Sequence, residues 1–251
     1  MFVHNIDPIF LRIGSLEIRY YGLIFALGFL LVLWMSVKIG EKKKIDKNVI
    51  LDAGIWTIIG LIIGVRLIYV LFYNPNYYLQ NPLEIFAVWK GGIAFHGGLI
   101  GGVAGLWLFC RKNRINFYSL ADVFVVPLPL ALMFGRIANF INGELAGRIS
   151  DVPWAFDFGD SMARHPSQLY ESFKNLVLLF IMLSVNKAKN LKKGALFWLF
   201  IFLYGLFRFI VEFFRQPDVQ LGFIVFGLSM GQLFSLVMII VAGFWFWDKR
   251  S

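Results

Sequence analysis

The amino-acid sequence predicts an all-α integral membrane protein with about seven transmembrane helices. Hydrophobic residues make up 59% of the 251 residues, and the mean hydropathy is +0.72. Apolar stretches of about 20 residues, the length that crosses a bilayer as a helix, recur along the chain. We therefore predict a single polytopic membrane domain over residues 1–251, without a separate soluble domain.

The apolar stretches define the predicted helices in order along the chain. We place the spans at residues 19–37, 50–73, 92–110, 121–142, 169–186, 195–214 and 224–247. The third is rich in glycine and the fourth carries Pro127 and Pro129, so these two are expected to be the least regular. Aromatic residues fall at the ends of many stretches, as is typical of anchoring at the membrane interface.

The loops between the spans alternate in charge. Fourteen basic residues fall in the loops on one side and at the C-terminus, against six on the other side. The positive-inside rule then places the N-terminus outside and the C-terminus inside. Residues 143–168 are the longest stretch between spans and are predicted to form a small external cap. Because the loops account for the net charge of +9, we predict contact with membrane lipids and no nucleic-acid partner.

Metal and cofactor chemistry is not indicated by the sequence. Cys110 is the one cysteine, so a disulfide within the chain is impossible. Neither a cysteine-rich metal pattern nor an HExxH motif occurs. We therefore predict no metal and no cofactor.

Arg136 is the most informative residue, because it lies inside the apolar run 127–148. A charged side chain at the centre of a membrane helix costs roughly 2.5–3.5 kcal/mol on insertion scales, so it normally faces a bundle interior or a wet cavity. Asn139 and Gly143 follow at i+3 and i+7, which predicts one shared helix face. That face is a candidate site for an anionic or polar group. The alternatives are an arginine that reaches the interface or one that pairs with a carboxylate.

Polar residues of several spans converge on one predicted depth. With the predicted orientation, five spans place a polar side chain in the outer half of the membrane: Tyr20, Tyr21, Arg66, His96, Arg136 and Arg208. This convergence predicts a site that opens to the outer leaflet.

The sixth span carries a second polar stripe. Tyr204, Arg208, Glu212 and Arg215 fall within an arc of about 80° on an ideal helix. An internal ion pair between Arg208 and Glu212 is the alternative explanation for part of this stripe. His96 begins the third span, where a histidine is either a hydrogen-bonding structural residue or a general base.

Five segments resemble one known family. The segment GRIANFINGELAGR (135–148) is similar to the signature of the bacterial prolipoprotein diacylglyceryl transferases. The segments RYYGLIFALGF (19–29), GGIAFHGGLIGG (91–102), HPSQLYES (165–172) and YGLFRFIVEFFRQPD (204–218) resemble the same family in the same order. The resemblance therefore covers nearly the whole chain.

The resemblance implies a seven-helix enzyme of the bacterial plasma membrane. The family moves the diacylglyceryl group of phosphatidylglycerol onto the lipobox cysteine of a prolipoprotein signal peptide. A thioether forms and glycerol phosphate leaves, in the first step of lipoprotein maturation. The family's functional residues correspond to Tyr21, His96, Arg136, Asn139, Glu144, Gly147, Tyr204, Arg208 and Glu212.

A mechanism follows as a hypothesis. Arg136 and Arg208 would bind the phosphate and stabilise the charge of the leaving group. Asn139 and Tyr204 would donate hydrogen bonds to the phosphate or the headgroup. His96 would remove the thiol proton, since the thiolate is the reactive form. In a competing version His96 binds the donor lipid, and the field of the arginines alone favours the thiolate.

The remaining residues have supporting roles in this hypothesis. Gly143 and Gly147 would let the backbone approach the ligand. Glu144 would orient an arginine or a loop. The segment that begins at His165 would shape the start of the fifth span.

Three other functions fit parts of the pattern. A phospholipid-binding or translocating protein would use the same arginines without chemistry. An acyltransferase would need its own nucleophile, and no serine or cysteine lies beside His96 in sequence. A channel would carry polar residues through the full depth of the membrane, whereas the inner halves of the spans are nearly all apolar.

Overall fold

The computed structural model describes residues 1–87, 92, 94–188, 190–217, 223–225 and 227–248. Within these residues the chain is mostly helical. The α-helices are α1 (Tyr20–Lys42), α2 (Lys47–Phe72), α3 (Pro75–Gln80), α4 (Phe95–Lys112), α5 (Phe117–Phe124), α6 (Leu128–Ile141), α7 (Ser167–Val185), α8 (Ala195–Val211) and α9 (Met230–Asp248). A short 3₁₀ helix covers Pro82–Phe86.

Short strands accompany the helices, so the all-α prediction needs a correction. They are β1 (Phe2–Val3), β2 (Ile9–Ile13), β3 (Leu16–Arg19), β4 (Phe156–Asp157), β5 (Ala163–Arg164), β6 (Phe223–Val225) and β7 (Leu228–Ser229). Strand β1 pairs in parallel with β4, and β4 pairs antiparallel with β5. The pairs β2–β3 and β6–β7 form antiparallel hairpins. Strands this short carry too few residues for an alternating pattern to identify them in the sequence.

Each predicted apolar stretch overlaps a described helix, and most ends differ by a few residues. The last stretch, 224–247, is wrong at its start, which lies in the region of β6 and β7, since α9 begins at Met230. The fourth stretch, 121–142, is interrupted: α5 ends at Phe124 and α6 begins at Leu128. Pro127 and Pro129 explain the break, because proline lacks a backbone N–H and is tolerated only in the first turn of a helix.

Fewer helices than predicted qualify as membrane spans by length and composition. Four described helices do so: α1, α2, α7 and α9. The pair α5 and α6 makes a fifth if the two are counted as one broken span, while α8 is apolar but shorter. The protein is thus an integral membrane protein, and the count of seven spans stays a prediction.

The chain divides into two compact units, and one polytopic domain over 1–251 stays a prediction. The first unit comprises Met1–Met35 and Phe124–Ser251, and the second comprises Ser36–Val123. In the second unit, α2 and α4 pack through glycines. A Cβ atom on Gly64 would collide with the carbonyl of Gly97, and one on Gly101 with the carbonyl of Gly60. Such a close approach is the packing that small residues at four-residue spacing allow between membrane helices.

The first unit contains a helix with a buried polar face. Helix α6 packs against α7, α7 against α8, and α8 against α9. The buried polar residues of α7 are Ser167, Gln168, Glu171, Ser172, Lys174 and Asn175. Their spacing of three and four residues places them on one side of the helix. The packing of α7 therefore brings a polar surface, including two charges, into the interior of the unit.

Candidate active site

Arg136 lies on α6 and its guanidinium faces polar groups of the first unit. Its Nη1 donates to Oδ1 of Asn139 at 3.4 Å. Its Nε lies 3.7 Å from Oε2 of Glu171, and 20% of the arginine side chain is exposed. The predicted pairing with a carboxylate therefore exists, but it is loose compared with a charge-assisted hydrogen bond of about 2.7–2.9 Å.

Glu171 on α7 is the centre of the charged cluster. Its side chain is 2% exposed, and its carboxylate faces three cations. Lys174 Nζ lies 3.3 Å from Oε2, and Arg208 Nη1 is in close contact with Oε1. A buried carboxylate requires such partners, because an unpaired buried charge is strongly unfavourable.

Arg208 and Glu212 form the ion pair that their i+4 spacing allows. Arg208 Nη2 lies 2.5 Å from Oε2 of Glu212, whose side chain is 3% exposed. Ser229 donates its hydroxyl to Oε1 of Glu212 at 2.9 Å, and Arg215 Nη1 lies 3.9 Å from the same oxygen. Arg208 is thus held by two carboxylates, whereas Arg136 is held by loose contacts.

The end of α6 positions Asn139 and Glu144. The N–H of Gly143 donates to the carbonyl of Phe140, and the N–H of Glu144 donates to that of Asn139, the pattern of a Schellman cap. Gly143 has φ of +69°, a backbone conformation that favours glycine. Nδ2 of Asn139 then donates to Oε1 of Glu144 at 2.7 Å. The predicted shared helix face is wrong for Gly143, since α6 ends at Ile141 and the chain turns there.

Gly147 lies where two stretches of backbone approach each other. A Cβ atom on Gly147 would lie 2.5 Å from the carbonyl oxygen of His165 and 2.6 Å from that of Phe214. Gly147 also forms an isolated antiparallel bridge with Arg215. Position 147 therefore requires glycine because two backbone carbonyls lie too close for a side chain. That Gly147 also lets the backbone approach a ligand stays a prediction.

Two predicted tyrosines line the cluster. The Tyr21 hydroxyl lies near the Asn139 side chain and within electrostatic reach of Glu144 and Arg136. The Tyr204 ring lies under Lys174, with Nζ 4.0 Å from the ring centroid. Such a cation–π contact is favourable when water is excluded.

Arg66 and His96 belong to the second unit. Arg66 is buried and donates to the carbonyls of Glu84, Ile85 and Gly92, so it ties the 3₁₀ helix and Gly92 to α2 within its own unit. These contacts do not support the prediction that Arg66 belongs to the site. His96 is the second residue of α4, and its side chain lies outside the described residues.

The segment before α7 joins the site to the region predicted as the cap. Nε2 of Gln168 donates to the carbonyl of Glu144 at 2.7 Å, and the Ser167 hydroxyl donates to that of Leu145 at 3.0 Å. His165 Nδ1 lies 3.1 Å from the Tyr170 hydroxyl. Burial lowers the pKa of His165 below its ordinary value, although the negative charge of Asp151 opposes this shift.

A cavity of about 480 Å³ opens beside this region. Its lining includes Gly143, Leu145, Arg164 and Arg215, but neither Arg136 nor Arg208. The cavity thus borders the cluster through Arg215.

Glu171 and Lys174 are site residues that sequence reasoning missed. Both lie inside the predicted span 169–186, where a charge is as unusual as Arg136 is in its own span. The rule applied to Arg136 could have identified both. Their position opposite two arginines of other helices could not have been read from the sequence.

Among the described residues, the ion pairs of the cluster contain more cations than carboxylates. They join four cations, Arg136, Lys174, Arg208 and Arg215, to two carboxylates, Glu171 and Glu212. Glu144 adds a further carboxylate through Asn139. A buried site with excess positive charge and a loosely held guanidinium suits an anionic group.

Fold and site together define an integral membrane protein with a buried cluster of charged side chains. Residues 8–247 match the family model of the prolipoprotein diacylglyceryl transferases. The chain belongs to the prolipoprotein diacylglyceryl transferase family.

Curated relatives agree with this assignment over nearly their full length. The phosphatidylglycerol–prolipoprotein diacylglyceryl transferase of Geobacter sulfurreducens is 46% identical over 242 residues, which cover 94% of this chain and 93% of the relative. That of Bordetella parapertussis is 46% identical over 254 residues, covering 98% and 97%. That of Ehrlichia ruminantium is 42% identical over 245 residues, covering 94% of each chain.

Proposed function

We propose that this protein transfers the diacylglyceryl group of phosphatidylglycerol to a prolipoprotein. The family match over residues 8–247 supports this reaction. In the structure, the main support for this reaction is the guanidinium of Arg136. It faces a buried charged cluster, and its contacts to Asn139 and Glu171 are long, at 3.4 and 3.7 Å. The donor phosphate is a monoanion, which the surplus positive charge of the cluster favours.

The acceptor in this proposal is the lipobox cysteine of a signal peptide. Its sulfur attacks the glyceryl carbon that carries the phosphate ester, and a carbon–sulfur bond forms as the carbon–oxygen bond breaks. The electron pair of the broken bond leaves with glycerol phosphate. The thiol proton must pass to a base, because the thiolate is the nucleophile.

Arg136 and Arg208 have different tasks in this reaction. Arg136 would contact the phosphate directly, since its present contacts are the looser ones. Arg208, which lies between Glu171 and Glu212, would strengthen the positive field as charge grows on the leaving group. Asn139 and Tyr204 would donate to the phosphate or headgroup, and Tyr21 would support Asn139.

The other predicted residues divide into two groups. Glu144 and Glu212 are carboxylates, so they would act by orienting Asn139 and Arg208 and would contact the lipid only through hydroxyl groups of its headgroup. Gly143 and Gly147 would fix the chain turns next to the site. His96 is our proposed base for the thiol proton, and the competing version leaves deprotonation to the field of the arginines.

The membrane arrangement is part of the same proposal. Seven spans, with the N-terminus outside and the C-terminus inside, would place the site at the outer leaflet of the bacterial plasma membrane. Residues 143–168 would then form an external cap. The excess of basic residues in the loops of the opposite side supports this orientation.

Purified protein in detergent with phosphatidylglycerol and a lipobox peptide tests the function. Mass spectrometry should show the peptide gaining one diacylglyceryl unit. A peptide with serine in place of the cysteine, and the variant Arg136→Ala, should give no adduct. Intact lipid that binds without cleavage, in the presence of a correctly presented peptide, would favour a lipid-binding or translocating protein instead.

A further inference from the structure

Lys174 is a buried lysine that the family motifs do not assign to the site. Its side chain is 6% exposed, and its Nζ lies 3.3 Å from Oε2 of Glu171. The same Nζ lies 4.0 Å from the centroid of the Tyr204 ring. Lysine is almost never this buried unless its charge is paired. Lys174 therefore contacts two members of the charged cluster directly.

Lys174 and Arg136 share one oxygen of Glu171. Oε2 lies 3.3 Å from Lys174 and 3.7 Å from Arg136, while Oε1 contacts Arg208. Because Lys174 is the nearer cation on Oε2, its attraction to this oxygen is at least as strong as that of Arg136. The positive charge of Lys174 consequently weakens the net attraction between the Glu171 carboxylate and Arg136.

Arg136 is the most accessible of the three cations around Glu171. Its side chain is 20% exposed, compared with 11% for Arg208 and 6% for Lys174. Its described contacts are longer than the charge-assisted hydrogen bonds that hold an arginine firmly. Arg136 can therefore turn toward an anion without breaking a strong ion pair.

We propose that Lys174 is a positioning residue that neutralises Glu171 and thereby keeps Arg136 available for the donor phosphate. This inference rests on the proposed function, in which Arg136 binds the phosphate of an anionic phospholipid. Without Lys174, the carboxylate of Glu171 draws Arg136 inward, and the donor must compete with it. Lys174 itself does not contact the reacting atoms.

The variant Lys174→Met tests this role, because methionine has a similar length and no charge. With the lipobox peptide saturating, the KM for phosphatidylglycerol should rise about tenfold, while kcat stays within about threefold of wild type. Lys187→Met is the matched control, since Lys187 is exposed just beyond the end of α7. Its kinetic constants should equal those of wild type.

A double variant separates this charge effect from damage to the fold. In Lys174→Met with Glu171→Gln, the carboxylate that attracts Arg136 is gone, so the KM for phosphatidylglycerol should fall below that of Lys174→Met, although Arg208 also loses one of its two carboxylates. A second substitution in the same buried cluster would not rescue a packing defect. Thermal unfolding in detergent checks that each variant is folded, and Lys174→Gln replaces Lys174→Met if the latter is not.

The outcomes distinguish this proposal from the proposed function. A wild-type protein that gives no transfer contradicts the function, and the Kd for phosphatidylglycerol of the same variants, measured by native mass spectrometry, then tests Lys174. An unchanged KM or Kd in folded Lys174→Met overturns the role of Lys174. A double variant with a KM as high as that of the single variant overturns it as well.

Discussion

At the scale of single residues, the site combines a loosely held arginine, Arg136, with one that two carboxylates hold firmly, Arg208. Arg136 and Arg208 stand out in the sequence because charge is costly in a membrane helix. Their partners could not be predicted, since Glu171 reaches both arginines from a third helix. The structure therefore separates a loosely held arginine from one fixed by two carboxylates, a difference that residue spacing does not contain.

Replacement of Arg136 by lysine tests the need for a planar guanidinium. Lysine keeps the charge but cannot bind two phosphate oxygens in the fork geometry of arginine. We expect kcat/KM for phosphatidylglycerol to fall by about one hundredfold, since a lost charge-assisted contact in a dry site costs on the order of 3 kcal/mol. Arg12→Lys, at an exposed arginine, should leave the rate unchanged. A loss of less than threefold in Arg136→Lys would contradict the assigned contact.

Replacement of His96 by glutamine tests the proposed base. A positioned general base contributes about 10²–10⁴ to a rate, so His96→Gln should reduce kcat at least one hundredfold at neutral pH. The loss should shrink at higher pH, where more of the peptide thiol is already ionised. Transfer rates measured over a range of pH check this. A modest loss that is the same at every pH would favour the competing version, in which His96 binds the lipid.

His165 gives the 143–168 region a dependence on pH. Burial lowers its pKa, so its stabilising contribution is present above the ordinary value of about 6.5 and is lost as pH falls through the lower folded value. The midpoint of thermal unfolding should therefore fall more between pH 7.5 and pH 5 in wild type than in His165→Gln. Equal shifts in both proteins would show that His165 does not contribute.

At the scale of elements, helices were predictable from composition and the small strands were not. Apolar length located the long helices of the described residues, and the prolines at 127 and 129 account for the break before α6. Strand β1 pairs with β4, which lies more than 150 residues further along the chain. No local sequence pattern can therefore predict this pairing. The polar face of α7 was overlooked because the apolar residues around it satisfied the span pattern, although charges such as Glu171 and Lys174 are unusual inside a span.

The glycines between α2 and α4 provide a test at this scale. In Gly64→Ala the new Cβ would collide with the carbonyl of Gly97, so the helices must separate. Overpacking of this kind costs about 1–3 kcal/mol, and the unfolding midpoint in detergent should fall. Gly243→Ala is the control, because a Cβ at Gly243 meets nothing within 4 Å and alanine favours a helix. Equal midpoints for the two variants would contradict the packing of α2 on α4.

At the scale of the whole molecule, the orientation in the membrane was predicted from charge alone. The loops with most lysine and arginine should face the cytoplasm, which places residues 143–168 outside. The fold of the two units does not show which loops face the cytoplasm and which face the outside. The orientation is therefore tested in cells.

Single cysteines introduced into a Cys110→Ser background report the two sides. Met162→Cys, at an exposed position, should react with a membrane-impermeant maleimide in spheroplasts. Lys187→Cys, also exposed, should react only after the membrane is permeabilised. The reverse pattern would contradict both the orientation and a site at the outer leaflet.

In the proposed reaction, the protein transfers a diacylglyceryl group and releases glycerol phosphate at a cationic cluster around Arg136. The most direct measurement follows both products in one reaction of purified wild type and Arg136→Ala with phosphatidylglycerol and a lipobox peptide. We predict that wild type forms modified peptide and glycerol phosphate in equal amounts, and that Arg136→Ala forms neither while it remains folded. Glycerol phosphate release without peptide modification would contradict the transfer reaction, and full activity in Arg136→Ala would contradict the role of Arg136.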